Sequence, residues 1–239
     1  PLMWALNRLM DRLGQSIRRS EDFIAEAAHR IRTPLATVRA QAEIALRSVE
    51  DEAEKQRLRR IIRAVDESSR SAGQLLDHAT VAFRSEDLAR DPLDLAELAG
   101  QTVAAIAPTA AMRDIRLDLV TMPAQVRGDA VLLDAAIRNV LDNAVKYSPE
   151  DTTITLRVTQ QDHQARLSIR DQGPGLGDGP VEALTERFRR GANTGGIIGS
   201  GLGLTIASDV VRAHGGRLEL GAAEDEKGGA CVALVLPLA

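Results

Sequence analysis

The apolar positions of this 239-residue chain change period once. From Leu2 to about Phe83 they recur at helical spacing. Leu2, Leu6, Leu9 and Leu13 step by four, three and four. Ile24, Ile31, Val38 and Ala45 form one sevenfold row, and Ala28, Leu35, Ala42 and Val49 form a second. A charged break, "SVEDEAEKQ", separates these from Leu58, Ile61, Ile62, Val65, Ala72, Leu75, Leu76 and Ala79. Sustained heptad-like spacing predicts two long helices joined by a short polar turn. One antiparallel hairpin cannot cover both apolar stripes, whereas two hairpins paired as a four-helix bundle can, which predicts a homodimer.

From about Pro92 the pattern alternates between strand and helix. "PLDLAELAGQTVAAIAPTAAM" reads as a short strand followed by a helix, and "IRLDLV" and "QVRGD" alternate as strands. "DAVLLDAAIRNVLDNAVKYS" is amphipathic, with Asp129 suited to cap its start. "TTITLRVTQ" and "QARLSIRDQ" flank the polar turn "QDH" as a hairpin; "GRLELGAAE" and "GACVALVLPL" form another after the helix "GLTIASDVVRAHGG". Helices mixed with adjacent antiparallel strands predict an α+β sandwich with one helical face. The polar stretch 84–91, "RSEDLARD", reads as a hinge between the halves.

Composition narrows the classes. Apolar residues make up 44% of the chain but aromatics only 2%, so Leu, Ile, Val and Ala must fill the core. A net charge of −4 lacks the basic footprint expected of a nucleic-acid-binding domain. One cysteine, Cys231, excludes an internal disulfide and argues against a Cys-rich zinc site, consistent with a reducing compartment. No apolar run of about 18 residues occurs, so no membrane contact is expected of this stretch. The start at Pro1, directly on a helical pattern, suggests a fragment, compatible with a membrane segment upstream.

Three stretches carry candidate chemistry. In "AEAAHRIRTPLATVRA", His29 falls on the solvent side of its helix when Ile24 is taken as position a. Glu26 lies three residues before it and Thr33 four after, so both are surface neighbours. Pro34 deprives the Arg30 carbonyl of its helical partner and predicts a local bend at a cost of about 3 kcal/mol. Between Gly173 and Gly203 lie ten of the nineteen glycines. Such a stretch lets backbone N–H groups approach a phosphate, and "GSGLGLTIASDVV" opens a helix whose start attracts anions. Neither a Walker-type motif nor G-x-G-x-x-G fits it. On the helix before it, Asn139, Asn143 and Lys146 share a face and Tyr147 follows, giving hard oxygen ligands for Mg²⁺ and a point charge for phosphate. Asp171 ends a strand before the first glycines, where its carboxylate can accept from an exocyclic amine such as that of adenine.

Together, in this order, these stretches resemble the sensor histidine kinases of bacterial two-component systems. "HRIRTPL" resembles the phosphoacceptor box, "NVLDNAVKYS" the N box, "DQGPGLG" the first glycine box, "ERFRRG" the phenylalanine box and "GSGLGL" the second glycine box. "LNRLMDRL" is similar, more weakly, to the last helix of a HAMP signalling segment. The resemblance implies a signalling helix over 1–20, a dimerisation and phosphotransfer hairpin over 21–88, and a catalytic ATP-binding domain over 89–239. The latter would be an α/β sandwich of the GHKL ATPase type, the nucleotide fold of gyrase, the Hsp90 chaperones and MutL.

The resemblance further implies that ATP bound with Mg²⁺ phosphorylates His29, and that the phosphoryl group passes to an aspartate of a response regulator. Thr33 would orient water when the kinase dephosphorylates its partner. Asn143 would hold Mg²⁺, Asn139 and Lys146 would approach the phosphates, and Tyr147 would pack near the nucleotide. Asp171 would read the adenine amine, with Gly173 and Gly175 turning around the ring. Residues from about Leu176 to Ser200 would form a lid, closed by the loop Gly199, Ser200, Gly201, Leu202 and Gly203. The place would be the cytoplasmic side of a bacterial inner-membrane receptor. One departure stands out: Arg30 follows His29 where the family commonly has an acid, and Glu26 is the candidate substitute. A related ATPase driving a dimer clamp, or a nucleotide-binding scaffold without transfer, are the alternatives.

Overall fold

The computed structural model describes residues 26, 30, 31, 33–84, 88–177, 201–223 and 228–239. The chain divides into two compact units, Pro1–Arg84 and Ser85–Ala239.

In the first unit, helix α1 (residues 33–48) is followed by α2 (Glu52–Arg84). The turn is narrower than the charged break suggested. Asp51 accepts the amide proton of Ala53 at 3.2 Å, and Glu52 and Glu54 occupy the first turn of α2, where negative charge offsets the helix dipole. Most of the acidic segment is therefore helix, and only 49–51 turn. Arg39 ties the hairpin together, bonding Glu43 on its own helix at 3.1 Å and Asp66 across it at 3.2 Å. Ala42, on the second sevenfold row, is buried, while Ile31 and Val38, on the first, stay 41% and 44% exposed. Among the described members of the rows, Ala42 packs within the hairpin, and Ile31 and Val38 are left largely uncovered by it. Residues on both sides of Pro34 are helical.

The second unit is a helix-on-sheet sandwich. After β1 (Asp91–Asp94) come α3 (Leu95–Ala111), β2 (Arg116–Thr121), β3 (Gln125–Gly128) and α4 (Ala130–Tyr147). The hairpin β4 (Thr153–Gln161) and β5 (Gln164–Arg170) follows, then α5 (Gly203–Ala213), β6 (Arg217–Ala222) and β7 (Ala230–Pro237). Five strands form one sheet in the order β2-β4-β5-β7-β6, while β1 and β3 pair as a separate ribbon. Both hairpins are antiparallel as the alternation predicted. The edge strand β2 instead runs parallel to β4, because β3 and α4 lie between them in sequence and return the chain to its starting end.

One face of the sheet is apolar: Ile154, Leu156, Leu167, Ile169, Leu234 and Leu236 are buried. Leu132, Leu133, Ile137 and Leu141 of α4 and Ile206, Val210 and Val211 of α5 supply the buried helical layer. Among the described residues no helix is long and apolar enough to cross a membrane.

Candidate functional site

Helix α4 is fixed at both ends. Asp129 caps its start, accepting from Val131 N at 2.9 Å and Leu132 N at 3.2 Å, as the sequence predicted. The amide of Asp129 donates to His214 Nε2 at 3.0 Å, and His214 Nδ1 lies 2.8 Å from the Val210 carbonyl. That pairing requires a neutral ring with its proton on Nδ1. Burial, with Arg90 adding to it, holds the imidazole below its usual pKa against the opposing pull of the Val210 carbonyl and Asp129. The ring thus joins the C-terminal end of α5 to the N-terminal end of α4, a link that the sequence reading missed because its partners are 85 residues apart.

Asn139 and Asn143 lie one turn apart on α4. Asn139 is 3% exposed, and its Nδ2 donates to the Ala135 carbonyl at 2.9 Å, so its Oδ1 is aimed away from that bond. The start of α5 sits against both amides. A Cβ placed on Gly203 would lie 3.0 Å from Asn143 Nδ2 and 3.4 Å from Asn139 Oδ1. A side chain there would press on both amides, which would have to shift by a few tenths of an ångström. No side chain caps α5 at Leu202, and Gly201 adopts φ +71°, a glycine conformation. Lys146 stands with its Nζ 5.0 Å from the centroid of the Tyr147 ring, within cation–π range.

Asp171 ends β5 and is 8% exposed. Its Oδ1 accepts from Gly173 N at 2.8 Å and Ala230 N at 3.1 Å, and neither bond uses Oδ2. Burial pushes the carboxyl above the ordinary carboxylate range, and the Ala230 and Gly173 amides pull it back. Gly173 lets the turn pass the end of α4: a Cβ there would lie 2.9 Å from the Tyr147 carbonyl oxygen. Gly175 has φ +74°. Gly229, not singled out from sequence, packs its backbone so close to the Asp171 carbonyl that no Cβ fits, and it has φ +110°. Its signal was weak, a lone "GG" before the last strand.

The second unit therefore brings together Asn139, Asn143 and Gly203 at one point, around the middle of α4, and Tyr147, Asp171 and Gly173 at another, at its C-terminal end. In the first unit, Glu26 and Arg30 form an exposed ion pair at 2.6 Å, and Thr33 lies exposed on α1 with its carbonyl accepting from Thr37 Oγ1 at 3.1 Å. His29, Gly199, Ser200 and the greater part of the expected lid lie outside the described residues.

The neutral amide donors suit a hard cation that takes most of its ligands from elsewhere. Among the described residues there is no cluster of three or more His, Cys, Asp or Glu side chains able to hold a metal. At the α5 start the nearest amide atoms are the Oδ1 of Asn139 and the Nδ2 of Asn143; an asparagine oxygen suits Mg²⁺, which keeps several waters and binds through few protein groups.

Comparison with known proteins follows the same division. Residues 19–81 match the family described as His Kinase A (phospho-acceptor) domain. Residues 128–239 match the Histidine kinase-, DNA gyrase B-, and HSP90-like ATPase family. The chain is 34% identical over 223 residues to the sensor protein kinase PmrB of Pseudomonas aeruginosa, covering 93% of this chain and 47% of PmrB. It is 33% identical over 229 residues to the sensor protein QseC of Escherichia coli, covering 94% and 49%. It is 33% identical over 227 residues to the histidine-protein kinase/phosphatase MprB of Mycolicibacterium smegmatis, covering 90% and 45%. The chain thus spans about half the length of the curated relatives it matches. The solved structure of a mycobacterial sensor histidine kinase MprB is similar at 35% identity and a TM-score of 0.55, over 62% of this chain and 97% of that one. Full-length ShkA, solved with AMPPNP, matches at 25% identity and a TM-score of 0.62, over 92% of this chain and 46% of that one.

Proposed function

Because the chain belongs to the two-component sensor histidine kinases, we propose that it transfers the γ-phosphoryl group of ATP to a ring nitrogen of His29. From there the group passes to an aspartate on a response regulator. Residues 21–88 serve as the dimeric phosphotransfer hairpin, 89–239 as the ATP-binding domain, and 1–20 as the incoming signalling helix. The assembly is a homodimer on the cytoplasmic side of a bacterial membrane receptor.

The observation that carries this reading is the seating of Gly203 against Asn143 and Asn139, beside the Tyr147–Gly173 contact. It puts the amide face of α4, an anion-attracting helix start and the Asp171 turn along one edge. Asp171 is suited to select adenine: its Oδ1 is held by two amides, leaving Oδ2 for an exocyclic N–H. Lys146 and the α5 start approach the phosphates, with Asn139 lining the same edge and Tyr147 packing near the base. Gly201, Leu202 and Gly203 supply main-chain groups, and Gly199 and Ser200 continue that loop. Asn143 holds Mg²⁺, which supplies charge neutralisation at the phosphates.

At neutral pH an imidazole with an ordinary pKa of about 6.5 is mostly uncharged and carries a free lone pair. Attack by the unprotonated ring nitrogen forms the N–P bond as the bond to the leaving β-phosphate oxygen breaks, releasing ADP, and the proton on the other ring nitrogen then passes to Glu26 or water. The protein's part is placement and electrostatics rather than covalent chemistry. A second activity, removal of phosphate from the regulator, is favoured by the identity to proteins named kinase/phosphatase. In this reading Thr33 orients the water in that reaction.

The test is incubation with Mg²⁺ and γ-labelled ATP, followed by mapping. Acid-labile label on His29, lost in His29→Gln, is expected. ATP hydrolysis that persists in His29→Gln, with no labelled wild-type protein, would replace this reading by a clamp ATPase. Nucleotide binding without either reaction would leave a scaffold.

A further inference from the structure

Helix α4 ends on a chemical problem. Ser148 N closes back on the Ala144 carbonyl at 3.0 Å. The next carbonyl, that of Val145, would take its helical hydrogen bond from residue 149, which is Pro149 and has no N–H. The remaining carbonyls of the last turn also lack in-helix donors, and they concentrate the negative pole of the helix.

Arg113, 32 residues earlier, fills the gap. Its Nη1 donates to the Val145 carbonyl and to the Lys146 carbonyl at 3.0 Å, and its Nη2 donates to the Ser148 carbonyl at 3.1 Å. The turn that carries it is tightly fixed. Arg113 N and Ile115 N both donate to the Ala110 carbonyl at 3.0 Å, and Asp114 adopts φ +54°, a conformation that Asp tolerates. Ile115 is buried beyond it. The guanidinium is thus aimed from a built turn, and its planar fork suits several carbonyls at once.

The carbonyls it gathers bracket Tyr147, whose own carbonyl lies against Gly173. They belong to the segment carrying Lys146, the cation proposed to meet phosphate. An uncapped helix C-terminus presents about half a negative elementary charge, which repels a polyanion at the same end. We propose that Arg113 is a positioning residue for nucleotide binding. It fixes the Lys146–Tyr147 end of α4 and cancels the negative pole there, so that this end tolerates a triphosphate. The inference rests on the reading that the second unit binds ATP.

The effect should scale with ligand charge, which a purely structural role would not produce. On the purified chain, affinities for ATP, ADP and adenosine are measured by titration beside the thermal midpoint. Arg113→Met is expected to weaken ATP about tenfold, ADP less, and adenosine no more than about twofold. Arg113→Lys keeps the charge and is expected to restore the ratio of ATP to adenosine affinity, even if its Tm stays below wild type. Arg113→Gln, uncharged but able to donate to a carbonyl, carries the same comparison should the Met variant not fold.

Equal losses for ATP and adenosine, an unchanged ATP affinity, or a Lys variant behaving like Met would each overturn the proposal. Wild-type protein that binds no nucleotide would overturn it together with the ATP-binding reading. Wild-type protein that binds ATP normally yet never labels His29 would remove only the phosphotransfer reading.

Discussion

Arg30 grips Glu26 one helical turn back, its Nη2 lying 2.6 Å from Glu26 Oε1 and its Nε 2.9 Å away. The only carboxylate proposed to assist His29 is therefore held by the arginine that stands where the family commonly has an acid. Both side chains are exposed, so the pair contributes little stability and opens readily. Glu26→Gln is expected to slow autophosphorylation by about tenfold, below the roughly hundredfold or more usual for a general base. Arg30→Ala, which releases Glu26, is expected to accelerate it. Initial rates with labelled ATP decide the matter, and a full rate in Glu26→Gln removes Glu26 from the mechanism.

Asp171 separates stability from function. Its raised pKa means that the ionised carboxylate is the form the fold disfavours, so stability begins to fall as pH rises past the unfolded value and the loss is complete above the raised folded one. Asparagine keeps an Oδ1 for Gly173 N and Ala230 N without the charge. Its NH₂ group would then face the exocyclic amine of the adenine proposed to bind there, donor against donor. Asp171→Asn is expected to retain or raise Tm at neutral pH while weakening ATP about hundredfold, the loss of a hydrogen bond to a charged group. A matched loss of Tm and affinity would show that Asp171 acts only in folding.

His214 should make the second unit acid-sensitive. In the unfolded chain the ring titrates near 6.5; in the fold, burial lowers that value. Between the two values the unfolded state binds more protons, so stability rises with pH across the window and levels off above about 6.5. Protonating Nε2 also removes the acceptor of the Asp129 amide. Unfolding midpoints measured from about pH 7.5 down to about pH 5 should fall more steeply for wild type than for His214→Gln. Parallel curves would show that the buried ring does not carry this dependence.

The local patterns were legible because each depends on neighbours in sequence. The period-two alternation of "TTITLRVTQ" and "QARLSIRDQ" gave a hairpin whose register is Thr155 to Arg170, and the acid of Asp129 gave the α4 cap. Asn139, Asn143 and Lys146 could be put on one helical face from spacing alone. Illegible were contacts that join distant segments through backbone atoms. The Gly229 approach to Asp171, the His214 bond to Asp129 N and the Arg113 fork on α4 have no periodicity to announce them. The parallel edge strand escaped for a similar reason, since pairing between β2 and β4 depends on the path of the intervening helix.

The uncovered apolar row on α1 leads to the last prediction. Ala42 is buried within the hairpin, but Ile31 and Val38, seven residues apart on the other sevenfold row, are left 41% and 44% exposed by a single chain. Ile61 of α2 is exposed as well. Scattered exposed aliphatics are ordinary, but two on one heptad row suit a second copy. In a symmetric dimer each substitution counts twice, so Val38→Lys removes about 3 kcal/mol or more of apolar burial per dimer. The dimer dissociation constant is expected to rise at least about a hundredfold. Sedimentation velocity on wild type and Val38→Lys measures it directly, with thermal unfolding as the control for an intact fold. Met112→Lys, an exposed change in the other unit, should leave the assembly unaltered. A Val38→Lys protein that remains dimeric at nanomolar concentration would place the interface elsewhere on the chain.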